Sequence, residues 1–237
     1  MIPKIIHYCW FGNGPLPELA QKCIASWHKF MPDYEYKLWN EDSFDVNSVP
    51  YTKEAYESRK FAFVTDYVRL WALYSEGGIY MDTDVEVLKP LDDLLHLTAF
   101  TGYEGSKTQP PVTGIMASQA GGLWVKEQLD SYSGSHFIKE DQTLDLTTNT
   151  IRISRIMKSN GFEQDGKYQI YKDLHVFPVD YFCPRQTTGE FFLTENTYCD
   201  HHFMGTWNDN KRVGILASLI GQKNMARLIK LKRKLFG

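Results

Sequence analysis

The stretch Gly77-Gly78-Ile79-Tyr80-Met81-Asp82-Thr83-Asp84 decides how this chain of 237 residues is read. Ile79, Tyr80 and Met81 have the character of a short buried strand, and they run directly into two carboxylates spaced i, i+2. Side chains two apart on a strand point the same way, so Asp82 and Asp84 can converge on one point. Placed at the carboxyl end of a strand in an open α/β sheet, they lie where such folds bind ligands. Two hard oxygen donors suit Mn2+ or Mg2+, and a cation held there could in turn hold a diphosphate. D-x-D alone is a common pattern, and a solvated turn would be equally acidic. The unbroken join to the apolar strand, and the Gly77-Gly78 helix stop before it, give the motif its weight.

Working outward, Tyr56 to Ser75 carries Ala62, Phe63, Tyr67, Leu70, Trp71 and Tyr74 at helical spacing, which predicts one helix ended by the two glycines. Ile2 to Trp10 reads as a buried first strand closed by a Phe11-Gly12-Asn13-Gly14 turn. Pro15 and Pro17 suit a helix start, with Leu19, Cys23, Ile24 and Trp27 following at helical spacing. Tyr34 to Trp39 looks like a second strand, so the chain opens strand, helix, strand. Further strands are expected at Ala99–Tyr103, Thr113–Ser118, Tyr168–Tyr171 and Thr197–His201, and helices at about 121–132 and 143–159. No internal repeat or low-complexity linker appears. The expected organisation is one domain over residues 1–210 and a basic amphipathic tail over 211–237.

Charge divides at the same place. After Asn210 there are eight basic residues and no acidic one; removing those eight from the 26 basic residues leaves 18 against 29 acidic in residues 1–210, a balance of −11 facing +8. An acidic body argues against nucleic acid as a partner. The tail interleaves Leu228, Ile229 and Phe236 with lysines and arginines, a pattern that suits an anionic membrane surface or the acidic body of its own chain. Cys9, Cys23, Cys183 and Cys199 show no C-x-x-C spacing, so free buried thiols in a reducing compartment are expected. No run reaches the length of a membrane span and the start is too polar for a signal peptide. The expected location is the cytoplasm, with peripheral contact on the inner face of the membrane.

Three other groups carry candidate chemistry. Asp66 and Arg69, three apart on a helix face, are either a clamp on a sugar and its phosphate or a surface ion pair. Asp200-His201-His202-Phe203-Met204-Gly205-Thr206-Trp207 offers an imidazole to Mn2+, and adjacent histidines on a strand point to opposite faces, so one of the two would serve. Trp10, at the end of the first strand, could stack on a nucleobase or belong to the core.

Ile2-Pro3-Lys4-Ile5-Ile6-His7-Tyr8-Cys9-Trp10-Phe11-Gly12, Phe63-Val64-Thr65-Asp66-Tyr67-Val68-Arg69 and the D-x-D stretch together resemble the DXD-containing glycosyltransferases of family 32. That family includes bacterial capsular-polysaccharide enzymes and relatives of yeast initiating mannosyltransferases, and it is similar to the catalytic domains of large glucosylating toxins. The resemblance is dense over residues 2–104 and returns at Asn196–Trp207, where many members have Ser in place of Thr206. It implies a GT-A fold with a single open mixed sheet flanked by helices, a nucleotide-sugar donor with a UDP-hexose favoured, Mn2+ or Mg2+, and transfer with retention. The acceptor implied is a glycan or a lipid-linked glycan in polysaccharide synthesis. It also implies roles: Asp66, Arg69, Asp82 and Asp84 as catalytic residues, and Trp10, Thr65, Tyr80, Thr206 and Trp207 on the donor side. Asp82, Asp84 and His201 are the implied metal ligands, with His202 as the alternative. Retention implies a covalent carboxylate intermediate or attack on the same face guided by the leaving phosphate, and no carboxylate outside the D-x-D stands out as a nucleophile. Two rival readings are a phosphohydrolase of the haloacid-dehalogenase kind, with Asp82 as nucleophile, and an inactive sugar-binding protein that keeps the fold.

Overall fold

A computed structural model describes residues 1–104, 111, 114–185 and 191–205. Residues Met1–Phe203 form one compact unit. The tail at 211–237, with Thr206 and Trp207, lies outside the described residues.

The strands are β1 (Ile5–Cys9), β2 (Glu35–Trp39), β3 (Gly78–Met81), β4 (Val85–Val87), β5 (Ala99–Gly102), β6 (Ile115–Ser118), β7 (Gln169–Tyr171), β8 (Leu174–Phe177) and β9 (Cys199–His201). The helices are α1 (Glu18–Phe30), α2 (Pro50–Glu57), α3 (Phe61–Glu76), α4 (Leu123–Asp130), α5 (Asn149–Ser159) and α6 (Val179–Phe182). Seven strands form one open mixed sheet in the order β2-β1-β3-β6-β5-β8-β7. β1, β2, β3, β5 and β8 run one way, and β6 and β7 are reversed. β4 and β9 make a separate antiparallel ribbon. The α/β architecture expected from the opening strand-helix-strand pattern is the one found.

Apolar clusters cover both faces of the sheet. Phe63, Leu70, Tyr103, Trp124 and Ile153 pack on the face carrying α3, α4 and α5. Trp27, Met31, Ile79, Met81, Phe100 and Phe182 pack on the other, with α1, α6 and the ribbon. Burying a sheet on both sides is what allows short, almost wholly apolar strands such as β3. The four cysteines are buried and form no disulfide.

Two departures from the sequence reading have local causes. The helix expected over Tyr56–Ser75 is two helices, because the chain leaves α2 at Ser58 and passes through Arg59 at φ 56° before α3 begins. A non-glycine residue in that region is a local break that an apolar stripe does not reveal. β4 and β8 were not expected: β4 has three residues, and β8 alternates buried Leu174 and Val176 with half-buried His175 and Phe177.

Gly77 and Gly78 turn α3 into β3. Gly77 has φ 69° and Gly78 φ 108°, and a Cβ on Gly78 would stand 2.7 Å from the Ile5 carbonyl oxygen. The Gly77 carbonyl accepts a 2.8 Å hydrogen bond from His7 Nε2, while His7 Nδ1 accepts one from the Trp39 indole at 3.1 Å. The neutral imidazole therefore ties β1 and β2 to the end of α3, and burial pushes its pKa down. Gly78→Ala should lower stability by about 1–3 kcal/mol in urea unfolding, since it combines a strained φ with a backbone clash. Gly14→Ala, with nothing within 4 Å of its Cβ, should stay within about 0.5 kcal/mol of the parent.

Candidate functional site

β3 leads directly into Asp82, whose N–H donates to the Gly114 carbonyl at 2.8 Å, and the Val85 N–H closes a turn onto the Asp82 carbonyl at 3.0 Å. Tyr80 and Asp82 share a strand face, and the Tyr80 hydroxyl donates to Asp82 Oδ1 at 2.6 Å. Above them lies Arg69 of α3, its guanidinium 4.5 Å from the centre of the Tyr80 ring, 3.4 Å from Asp82 Oδ1 and 3.2 Å from Asp66 Oδ1. Asp66 is 8% exposed and Arg69 5%, which excludes the surface ion pair considered for them. Asp66 also accepts the backbone N–H of Asn149 at 3.0 Å, so this carboxylate caps α5 from outside the helix.

Electrostatics follow from that burial. Desolvation pushes the Asp66 carboxyl up to about 6, against the opposing pull of Arg69 and the Asn149 N–H. Burial disfavours a charged Arg69, yet Asp82, Tyr80 and Asp66 together hold its pKa above the ordinary value.

Asp84 is served by the ribbon. Val85 of β4 registers with His201 of β9, and His201 Nε2 lies 3.3 Å from Asp84 Oδ1. The ring also packs on Gly114, where a Cβ would stand 3.0 Å from it. His202 takes the opposite face, as strand alternation requires: its Nε2 is 2.8 Å from Glu86 Oε2 and 3.8 Å from Asp200 Oδ2. Ligand atoms of Asp82, Asp84 and His201 all fall within 4.8 Å of one another, as do those of Glu86, Asp200 and His202. In the second group Arg185 already neutralises Asp200 through contacts of 2.7 and 3.2 Å. In the first, burial opposes a charged imidazole, but the hydrogen bonds to Asp84 and Cys183 and the charges of Asp84 and Asp82 raise the His201 pKa well above its usual range. Two carboxylates that press a buried histidine towards the cation offer a donor set of oxygen and nitrogen suited to a divalent ion.

The remaining expected residues separate. Trp10 follows β1 directly; its indole N–H donates to the Gly14 carbonyl at 2.6 Å, which fixes a half-buried ring at the carboxyl end of the sheet. Thr65 sits against the Cys9 thiol at the start of the same corner. Tyr80, expected on the donor, is 1% exposed; its ring lies under the Arg69 guanidinium and its hydroxyl donates to Asp82, so it positions that carboxylate from below. Thr206 and Trp207 fall outside the described residues. Two residues were missed. Asn149 anchors α5 on Asp66, and no pattern in its segment signals that. Glu104 lies two residues beyond β5, and only the order of strands in the sheet brings that position near the D-x-D.

Residues 17–101 match the family described as the glycosyltransferase sugar-binding region containing DXD motif. This is the segment that carries α1 through β5 and the D-x-D itself. Inositol phosphoceramide mannosyltransferase 3 of Schizosaccharomyces pombe is 42% identical over 106 residues, covering 42% of this chain and 29% of that protein. Glucan organizing enzyme 1 of Cryptococcus neoformans is 35% identical over 165 residues, 56% of this chain and 44% of that one. The chain thus spans less than half the length of either relative. The fold is shared with the PaToxG glycosyltransferase (TM-score 0.51, 17% identity, 68% of this chain and 70% of that one). It is shared too with a glycosyltransferase involved in glycosylation of the major capsid of PBCV-1 (TM-score 0.50, 13% identity, 89% and 98%). The sheet is therefore that of the GT-A fold. These two relatives are fungal, and neither supports the bacterial capsular setting expected from the sequence.

The raised Asp66 carboxyl makes a pH prediction. Between its ordinary 3.8 and about 6 the folded protein keeps a proton that the unfolded chain has released, so this group's contribution to stability falls as pH rises through that window. Asp66→Asn removes the term. The variant's stability relative to the parent should rise by on the order of 2 kcal/mol between pH 4 and 7 in urea unfolding. A difference that does not change with pH would contradict the assigned burial.

Proposed function

We propose that the chain transfers a hexose, with retention, from a nucleotide-sugar donor to a hydroxyl of a glycan or lipid-linked glycan. The observation that carries this is the convergence of Asp82, Asp84 and His201 at the carboxyl end of the sheet, with Asp82 tied to the buried Arg69. A divalent ion, Mn2+ or Mg2+, held by those three residues would neutralise charge on the leaving diphosphate. Trp10 offers its half-buried ring to the nucleobase, beside Thr65. Arg69 fixes Asp82 and, with Asp66, bounds the donor sugar. Reaction breaks the bond from anomeric carbon to diphosphate oxygen, the electron pair leaving with the diphosphate. The acceptor oxygen forms the new bond on the same face, and its proton passes to the departing phosphate. Positioning and electrostatic stabilisation supply most of the acceleration.

UDP-glucose and UDP-galactose head the donor panel. GDP-mannose joins them because a relative is named for mannosyl transfer to inositol phosphoceramide, a name that also favours a lipid-linked acceptor over a capsular polymer. A true donor should raise the melting temperature in the presence of Mn2+ and not in EDTA. Asp84→Asn should lower donor turnover at least about a hundredfold with the fold intact, on the scale of losing a transition-state contact. Full turnover in EDTA would overturn the metal assignment. Hydrolysis of a simple phosphomonoester without donor turnover would favour the phosphohydrolase, and donor binding without turnover the inactive sugar binder.

The enzyme would act in the cytoplasm on the inner face of the membrane, its basic tail at 211–237 lying on anionic lipid, where each Lys or Arg contributes about 1 kcal/mol. Among the described residues no helix is long and apolar enough to cross a membrane. Full-length protein should co-sediment with anionic vesicles at low salt, and a chain ending at Ile220 should not. Equal behaviour of the two would remove the membrane from this account.

A further inference from the structure

β5 carries a carboxylate to the site that the D-x-D reading does not use. Phe100 stacks on Phe182 of α6, and a Cβ on Gly102 would meet the same Phe182 ring at 2.8 Å. These alternate residues face the side of the sheet that holds α6 and the ribbon, while Tyr103 packs on the opposite side. Glu104 continues the alternation past the carboxyl end of β5, towards the side where His201 lies against Cys183 and Gly114. It is only partly exposed, and the charges it feels are those of His201, Asp82, Asp84 and Arg69. Its oxygens are not among the ligand atoms that converge within 4.8 Å. The carboxylate thus faces the centre without joining the ligand set.

The flank it comes from limits what it can do. Trp10 at the end of β1, Asp66 and Arg69 on α3, and Asp82 at the end of β3 all belong to one side of the sheet order. β5 lies beyond β3 on the other side, with β6 between them. An anion there repels a diphosphate and suits a hydroxyl, to which a carboxylate is a strong hydrogen-bond acceptor. We propose that Glu104 is the acceptor-side carboxylate of this site, receiving the hydrogen bond of the attacking hydroxyl, or of water when the donor is hydrolysed. Burial, working against the attraction of His201, raises its pKa.

The inference rests on the glycosyltransferase reading above, and its test separates the two. Donor hydrolysis by the full chain is measured with Mn2+ on UDP-glucose, UDP-galactose and GDP-mannose, for the parent, Glu104→Gln and Glu104→Ala. Circular dichroism melts check that both variants fold. Turnover should fall roughly ten- to hundredfold in Glu104→Gln, the scale of a lost contact to the reacting group. Donor KM and Mn2+ affinity by titration calorimetry should stay within about twofold, since Glu104 touches neither. Sodium azide added to Glu104→Ala serves as an acceptor with no proton to hold. Its nitrogen bonds the anomeric carbon as the bond to the diphosphate breaks, and the glycosyl azide should keep the donor's anomeric configuration. Unchanged turnover, a parallel rise in donor KM, or weakened Mn2+ binding would overturn the assignment. A glycosyl azide of inverted configuration would also overturn it, by making Glu104 a nucleophile on the opposite face. A parent protein that turns over no donor would count against the glycosyltransferase reading itself.

Discussion

The contact between Arg69 and the carboxylates on either side of it organises the site. A guanidinium 5% exposed is sustained only where its charge is matched, and here Asp66, Asp82 and the face of the Tyr80 ring supply the match. The three partners come from different depths: Asp66 one helical turn back on α3, Tyr80 within β3, and Asp82 at its end. Holding all of them fixes how α3 lies over β3. The join between the two elements has little freedom of its own, because Gly77 and Gly78 occupy backbone conformations that other residues adopt with strain and pack against the backbone of neighbouring strands. A rigid turn and a buried ion network thereby set the direction of one carboxylate, as a functional side chain requires of its support.

The second carboxylate is positioned by different means. Asp84 lies beyond the sheet, in the turn into β4, and its partner comes from near the other end of the described chain. The ribbon registers Val85 with His201 and Glu86 with Asp200, and alternation sends His201 and His202 to opposite faces. Two similar groups of acid and imidazole result, and their surroundings distinguish them. In the one around Asp200, Arg185 pairs with that carboxylate at 2.7 Å. Asp84 instead faces His201 at 3.3 Å, an imidazole itself drawn towards the protonated form.

What could be read from the sequence was local. The apolar run into Asp82-Thr83-Asp84, the glycine stop and the stripe of α3 all rest on residues within a turn or two of one another, and the structure reproduces them. Arg59 broke the expected long helix because a left-handed residue leaves no mark on apolar spacing. β4 and β8 were too short for periodicity to register, and β4 is the strand that brings His201 to Asp84. Tyr80 was legible in part: its i, i+2 relation to Asp82 already placed its hydroxyl beside that carboxylate. Glu104 and Asn149 depend on which strands and helices become neighbours, and sheet order is decided by packing that the single chain does not spell out.

Charge explains why these parts belong to one device. Among the described residues, Asp66, Asp82, Asp84 and Glu104 bring four carboxyl groups to the site, alongside Arg69 and a histidine whose proton is held by the carboxylates around it. Buried or half-buried, these groups are screened less than surface charges. A diphosphate entering alone would meet net repulsion. On the proposed reading the donor and a divalent ion must therefore arrive as coupled ligands, each raising the affinity for the other, because either alone leaves the charge of the other uncompensated. The same surplus separates the two flanks. Where Arg69 stands, an anionic leaving group can be accommodated; where Glu104 stands, only a neutral group able to donate a hydrogen bond is favoured. The order of the strands, with β3 beside β1 and β5 beyond β6, keeps those two environments apart while directing both at the same pair of aspartates.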